Sequence, residues 1–302
     1  MQFKRIKRRV DGVLLLDKPV GISSNSALQK AKTLFQAAKA GHTGNLDPVA
    51  SGLLPLCFGE ATKFSQYLLD SDKTYQAEFT LGQTTTTGDA EGEVTANSKV
   101  DVIQRDVELA LQRFTGVISQ VPPMYSALKF QGKALYHYAR AGVEIERQPR
   151  EVTIYSLVLE SFDGSKLRVT VKCSKGTYIR VLAEDIGRAL GCGAFMSELR
   201  RTGTSNFDIT EALTLGRLGE MSAEQRDACL LPVDVLVAEL PDVVLDGDSA
   251  YYLKRGNPVW VAKQKERGAV RLYDDLGIFL GVGLIMDDGK VAPRRLVSVA
   301  DA

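Results

Sequence analysis

The period of apolar and polar positions changes often enough along the chain to outline its elements. Residues 12–17 form a short apolar run closed by Pro19 and Gly21, the pattern of a buried strand. Leu28, Ala31, Leu34, Phe35 and Ala38 then recur at helical spacing, with Ser23 or Ser24 placed to cap the first turn. Residues 41–55, rich in Gly and Pro, read as a loop. Ala61, Phe64, Tyr67 and Leu68 mark one face of a helix. Across 74–81 the pattern alternates, with Tyr75, Ala77, Phe79 and Leu81 on one face and Gln76, Glu78 and Thr80 on the other, which predicts a strand. Residues 106–114 and 133–141 read as helices, the second stopped by Gly142. Leu167, Val169, Val171 and Cys173 alternate with Arg168, Thr170 and Lys172 as a further strand. A helix follows, with Ile179, Leu182, Ala183, Ile186, Ala189 and Leu190 on its apolar face and Gly191 past its end. Strands and helices mix without a regular βαβ repeat, which predicts an α/β (α+β) fold: a mixed, largely antiparallel sheet with flanking helices.

The C-terminal part reads differently. Residues 218–249 are acidic, contain Pro232 and Pro241, and read as a connection between domains. Residues 270–273 and 278–285 read as strands and Asp288-Gly289 as a hairpin turn. Gly281 and Gly283 inside the second strand predict sharp bending, as in a small β-barrel.

Composition narrows the class. The chain has 302 residues, 44% hydrophobic and 25% charged, ordinary for a globular protein. No apolar run approaches the roughly 20 residues of a membrane span, and the stretch 13–16 after the basic N-terminus is too short for a signal peptide. The expected location is the cytoplasm, with no membrane partner. Cys57, Cys173, Cys192 and Cys229 form no Cys-x-x-Cys pair and the histidines are only His42 and His137, so buried free thiols are expected and no metal site. Net charge is +1, but it is unevenly spread: residues 1–42 carry nine Lys/Arg against two Asp/Glu, and 218–249 one Arg against eight Asp/Glu. Residues 250–302 carry nine Lys/Arg against six Asp/Glu. Basic ends flanking an acidic connector suit phosphate, although a solvated surface has the same composition.

The loop Gly41-His42-Thr43-Gly44-Asn45-Leu46-Asp47-Pro48 carries the most chemistry. Its glycines allow tight turning, and Pro48 pushes Asp47 into an extended conformation. Asp-Pro is equally a helix start, with Asp as N-cap and Pro at the first position. The spacing is not that of a phosphate-binding loop. His42 is open to reading as a base, an RNA contact or a surface residue. Tyr75 is either a core aromatic or a stacking platform for a base. Arg180 falls in the first turn of its helix, where the dipole disfavours a cation by about 0.3–1 kcal/mol. It is explained by an i,i+4 pair with Glu184 or by partnership with a catalytic carboxylate that it keeps ionised.

Taken in order, these residues become recognisable. Gly41-x-x-Gly44-x-Leu46-Asp47-Pro48-x-Ala50-x-Gly52 resembles the catalytic motif of bacterial tRNA pseudouridine-55 synthases. Asp17-Lys18-Pro19-x-Gly21, Lys73-Thr74-Tyr75, and Pro122-Pro123-x-Tyr125-Ser126-Ala127-Leu128-Lys129 with Tyr138-x-Arg140-x-Gly142 resemble further motifs of that family. Lys175-Gly176-Thr177-Tyr178-Ile179-Arg180 and Leu199-Arg200-Arg201 complete the set, in the family's order, over residues 12 to about 215. Asn45 stands where the family carries small residues. The tail, with Arg255-Gly256, Leu280-Gly281-Val282-Gly283 and Pro293-Arg294-Arg295, resembles a PUA-type RNA-binding barrel.

The resemblance implies a catalytic domain over 1–244, a thumb-like RNA-binding segment over about 124–152 and a PUA-like domain over 245–302. It implies isomerisation of the uridine at position 55 in the tRNA T loop, without cofactor or metal, by a monomer. Asp47 would attack the nucleotide or take a proton from its sugar. Tyr75 would stack on the flipped uracil and assist removal of the C5 proton; Arg180 would pair with Asp47; Tyr178 and Leu199 would line the pocket; His42 would fill the space the flipped nucleotides leave. Lys4, Arg5, Lys7, Arg8, Arg9, Lys129, Lys133 and Arg140 are the candidate phosphate contacts. The alternatives are a non-catalytic tRNA-binding or tRNA-folding protein and a synthase guided by a separate RNA; the chain has no lysine-rich tail to support the latter.

Overall fold

The computed structural model describes residues 7–261 and 267–298. Lys4 and Arg5, two of the candidate phosphate contacts, lie outside the described residues. Ten strands form one mixed sheet and five form a second, curled one. The large sheet runs Leu213–Thr214, β1 (Gly12–Lys18), β3 (Ala50–Phe58), Ala194–Thr204, β4 (Lys73–Leu81), Lys166–Cys173, Arg150–Phe162, Gly116–Gln120. The strand β2 (Ala40–His42) adds to β3, and Phe207–Asp208 to Ala194–Thr204. All neighbours are antiparallel except Leu213–Thr214 with β1 and β3 with Ala194–Thr204. The largely antiparallel sheet read from the alternating segments is therefore what forms.

Each face of the sheet has its own core, because side chains alternate along a strand. Leu14, Leu16, Leu54, Leu56, Tyr75, Ala77 and Phe79 face a core closed by the helices α1 (Ser24–Leu34), Gln104–Arg113 and Ile179–Ala189. Val13, Leu15, Leu53 and Cys57 point the other way, onto Phe64, Leu236, Val237 and Val282. Val282 and Phe279 belong to the second sheet, and Phe279 packs against Phe64 with ring centroids 5.5 Å apart and the rings tilted by 60°. Burial of this second face thus holds the C-terminal sheet against the first.

Three expectations are corrected here. Residues 41–55 are not one loop: β2 ends at His42 and β3 begins at Ala50, leaving 43–49 as the connection. Gly52 and Pro55 are strand residues with specific reasons to be there. A Cβ on Gly52 would lie 2.2 Å from the Arg201 carbonyl oxygen, so only glycine admits that close pairing. Pro55 sits between the stretch of β3 paired with Ala194–Thr204 and the stretch paired with β2, where no N–H is needed; its carbonyl accepts from Thr43 N–H at 3.1 Å. Asp47-Pro48 starts no helix, since extended strand follows. The helix marked by Ala61 and Leu68 is broken at Phe64 into a 3-10 turn, Gly59–Lys63, and a short helix, Ser65–Leu69.

The acidic connector is folded rather than strung out. It contains Ala223–Ala228 and a 3-10 turn, Val233–Val237, and Leu231 bridges to Val13 of β1. The strand Asp242–Leu245, which straddles the expected 244/245 division, is an edge of the second sheet. That sheet runs Asp242–Leu245, Gly268–Asp274, Phe279–Ile285, Lys290–Leu296, Val259–Trp260. Gly281 has φ of +132°, and a Cβ there would meet the Arg295 carbonyl oxygen at 2.2 Å, so only glycine admits that close approach of the two strands. Of the four thiols Cys57, Cys173 and Cys192 are buried, whereas Cys229 is partly exposed at the end of a short surface helix.

Candidate active site

The connection 43–49 is tied down at both ends. Ser24, in the first turn of α1, accepts from the Leu46 N–H (2.7 Å) and donates to the Leu46 carbonyl (2.9 Å) while fully buried. Gly21 N–H donates to the Pro48 carbonyl at 2.8 Å, and Ala50 N–H to the Asp47 carbonyl at 3.1 Å. Gly44 at φ +124° supplies the turn. Asp47 is therefore presented by a fixed backbone into a cavity of about 250 Å³.

Arg180 meets it there. The helix Ile179–Ala189 starts at Tyr178, whose N–H donates to the Gln120 side chain at 3.0 Å, and Gln120 is itself buried. From that first turn Arg180 reaches Asp47 Oδ2 with Nη2 (3.1 Å) and Asp89 Oδ2 with Nη1 (3.1 Å). It also donates to the carbonyls of Tyr125 (2.8 Å) and Thr87 (3.3 Å). The guanidinium is 7% exposed and Asp89 3%, while Asp47 keeps 37% of its side chain open. A cation at the wrong end of the helix dipole is stable because two carboxylates bracket it. Glu184, four residues on, makes no ion pair with it among the described residues.

Of the residues expected at the site, Asp47, Tyr75, Tyr178, Arg180 and Leu199 line one cavity. Tyr75 is 9% exposed and belongs to the core cluster as well, so both readings of it hold at once. His42 does not line the cavity. It ends β2, half-buried, with Nδ1 lacking a hydrogen-bond partner among the described residues, and burial pushes its imidazole below the ordinary value. Asn45 lines the cavity and is exposed. Arg8 is not a free cation: it forms a two-pronged pair with Asp227. Arg9 pairs with Asp11, whereas Lys129, Lys133 and Arg140 are exposed.

Four residues had no role in the sequence reading. Asp89 is one. The others are Lys18, Lys73 and Arg201, which with Arg180 are all the buried Lys and Arg among the described residues. Lys73, Arg180 and Arg201 line the Asp47 cavity, and Lys18 lies close enough for Asp47 to act on its charge. Lys18 donates to the Pro19 and Ile22 carbonyls at 2.8 and 2.7 Å. Lys73 donates to the carbonyls of Leu68, Leu69 and Ser71. Burial pushes each of these ammonium groups down to about 8. Asp47 is held above the ordinary carboxylate value by burial, with Arg180 and Lys18 acting against that rise and Asp89 adding to it. Burial also raises the phenols of Tyr75 and Tyr178. Chemically, the cavity offers a carboxylate with an open face, an aromatic wall and an unusual density of positive charge. Among the described residues no three His, Cys, Asp or Glu side chains cluster so as to hold a metal ion.

Comparison with known proteins identifies the family. Residues 32–179 match the model of the TruB family pseudouridylate synthase N-terminal domain. Residues 180–238 match the tRNA pseudouridylate synthase B C-terminal domain, and 241–297 the C-terminal domain of pseudouridine synthase II TruB. The chain is 59% identical over 300 residues to the tRNA pseudouridine synthase B of Methylobacillus flagellatus, covering 99% of both chains. It is 53% identical to that of Stutzerimonas stutzeri, covering 98% of both. Among solved structures it is similar to a chain of a Cbf5-Nop10-Gar1 complex, at 28% identity and TM-score 0.70, covering 91% of this chain and 78% of that one. It is also similar to a chain of an H/ACA RNP bound to a substrate RNA containing 2′-deoxyuridine, at 25% identity and TM-score 0.73, covering 96% and 86%.

Proposed function

Because the chain belongs to the TruB family of pseudouridylate synthases and so isomerises uridine to pseudouridine in tRNA, we propose that the uridine it takes is the one at position 55, in the T loop, and that Asp47 is the residue the reaction requires. The observation that carries the assignment is the Asp47 carboxylate held at 3.1 Å from Arg180 in a cavity walled by Tyr75. Arg180 favours the ionised form that burial opposes, so Asp47 is available to attack the nucleotide or to take a proton from its sugar. The reaction breaks one C–N bond and makes one C–C bond to the same base, so atoms balance without a cofactor.

The cavity suits a single flipped pyrimidine. Flipping costs a few kcal/mol, and stacking on one aromatic returns about 1–3 kcal/mol. Tyr75 is the stacking wall and takes the C5 proton; Tyr178 and Leu199 close the sides; His42 fills space vacated by the loop. Exposed Lys129, Lys133 and Arg140, on the segment 124–152, hold phosphates as a thumb. The unit 245–302 is a second, PUA-like RNA contact, and the protein acts as a cytoplasmic monomer.

Release of tritium from tRNA labelled at uracil C5 tests this, with wild type and Asp47→Asn side by side. Wild type alone is expected to release label, and mapping the product should place it at position 55. Release by Asp47→Asn near the wild-type rate would remove Asp47 from the chemistry. No release from either, with tRNA bound, would leave a tRNA-binding protein.

A further inference from the structure

We propose that Arg201 is a positioning residue for Tyr75: its guanidinium orients the phenolic oxygen that takes the C5 proton and lowers the cost of ionising it. This rests on the assignment of Tyr75 to the base-binding cavity. Arg201 and Tyr75 are direct cross-strand partners on Ala194–Thr204 and β4, share a sheet face, and line the same cavity. Arg201 is 1% exposed, and its backbone is clamped by the close approach of Gly52. Its Nε donates to the Leu53 carbonyl at 2.6 Å, which fixes the plane of the fork. Yet Nη2 is buried with no acceptor, and among the described residues Arg201 forms no ion pair. Arg180, which lines the same cavity, has two carboxylates and two carbonyls. A buried guanidinium without a counter-ion is costly, and a costly group in a reaction cavity calls for a use.

Tyr75 supplies one. The charged and titratable groups facing it are Arg201 on one neighbouring strand, Cys173 on the other, Asp47 from the connection after β2, Lys73 at the start of its own strand, and Tyr178 and Arg180 at the helix start. Burial holds the Tyr75 phenol neutral, Asp47 adds to that, and the Arg201 charge is the largest influence in the opposite direction. Cys173 is kept a neutral thiol, pushed up to about 11 by burial. The step balances as follows. Tyr75 first loses its proton to water. Once C5 is bonded to C1′, the C5–H bond breaks, its electron pair stays in the ring to restore conjugation, and the proton passes to the phenolate oxygen. The ring nitrogen freed from the sugar takes a proton, Tyr75 returns its own to solvent, and nothing is oxidised.

The test is the titration of Tyr75, followed by a carbon-13 label at the tyrosine ring carbon that bears oxygen and identified by its loss in Tyr75→Phe. It is run in wild type, Arg201→Lys and Arg201→Gln, beside the pH profile of single-turnover tritium release. Both variants are expected to titrate at higher pH, Gln the more, with the rising limb of the rate profile moving by the same amount. Each unit of displacement costs about tenfold in rate on that limb. An unmoved Tyr75 titration, or a uniform loss of rate with the limb unmoved, overturns the proposal. If Arg201→Gln does not fold, Arg201→Lys decides by the same criteria. Wild-type tritium release by Tyr75→Phe would instead overturn the assignment of Tyr75, and the titration would still report whether Arg201 controls the phenol.

Discussion

Replacing Arg180 with Met keeps the apolar stem and removes the counter-charge of two carboxylates at once. Asp89, 3% exposed, has Arg180 as its one ion-pair partner among the described residues. Breaking such a buried pair costs about 3–5 kcal/mol, against a total stability of about 5–15 kcal/mol. The carbonyls of Tyr125 and Thr87 lose a donor as well, which adds about 1 kcal/mol each at most. Asp47 adds less to this loss, because at 37% exposure water screens its charge. The role proposed for Asp47 needs its ionised form, however, and without Arg180 its carboxyl rises further above the ordinary value, so the acid limb of the rate profile should move to higher pH. The discriminating variant is Arg180→Met with Asp89→Asn. Asn retains an oxygen for the Thr87 hydroxyl and the Glu91 N–H that Asp89 now serves, and carries no charge to strand. Urea denaturation should show the single variant at least about 3 kcal/mol less stable than wild type and the double variant recovering most of that. Single-turnover tritium release should have its acid limb displaced to higher pH in both. A single variant within about 1 kcal/mol of wild type, or a double variant no more stable than the single, would refute the bracketed-guanidinium account.

Four further outcomes follow from the same geometry. Since the folded state holds the Asp47 proton more tightly than the unfolded chain, wild-type stability should fall as pH rises from the ordinary carboxylate range through the raised value; urea titrations of Asp47→Asn should lack that loss. Lys73 is pushed down from 10.5 to about 8, so the folded state binds this proton less tightly, and wild type should gain stability relative to Lys73→Met between about pH 8 and 10.5. Gly52→Ala combines φ of +106° with a 2.2 Å clash against backbone, and should fail to give soluble folded protein or lose more than about 3 kcal/mol by denaturation. Arg255 lies 3.4 Å from the ring centre of Tyr251 beside exposed Tyr252; Arg255→Glu should weaken tRNA binding and lower the salt slope by about one, without changing the single-turnover rate at saturation.

The last of these replaces a simpler experiment for a structural reason. Deleting 245–302 would remove Phe279 and Val282 from the core on the second face of the large sheet, exposing Phe64 and Leu236. Loss of affinity would then be inseparable from loss of the fold.

Local pattern was enough for most strands and helices because alternation and helical spacing are properties of a few neighbouring residues, as in 74–81 and 179–190. It failed at 41–55, where Gly52 and Pro55 carry loop signals but sit in a strand, since their fitness depends on Arg201 and on the gap between two partner strands. The same division applies to the site. Arg180 was legible as a local violation, a cation in the first turn of a helix, and the structure supplies the opposing charges. Asp89 was not, because nothing within its Thr- and Gly-rich turn reveals a partner 91 residues away. Lys18 and Lys73 did leave a signal: each falls in phase with the core-facing residues of its strand, Leu14 and Leu16 in one case, Tyr75 and Ala77 in the other. A charge at an inward position is a claim on buried acceptors, and that phase was available before any coordinates.

The four buried cations bear on one another as well as on their nearest partners. Arg180 has Asp47 and Asp89 within ion-pair distance, whereas Lys18, Lys73 and Arg201 form no ion pair among the described residues. Such a concentration of cations is unfavourable while the cavity is empty, although it is burial that chiefly lowers the two lysines, with the Arg201 charge adding to it. It becomes favourable when a polyanion docks over the cavity and a base leaving its sugar draws negative charge into it, since fixed charge in a water-poor site needs no reorganisation at that moment. Arg180 alone could neutralise Asp47. The three other cations, held by carbonyls that cannot transfer charge, are set to act on whatever enters, and the site is for that reason least stable when empty and most complete with RNA in place.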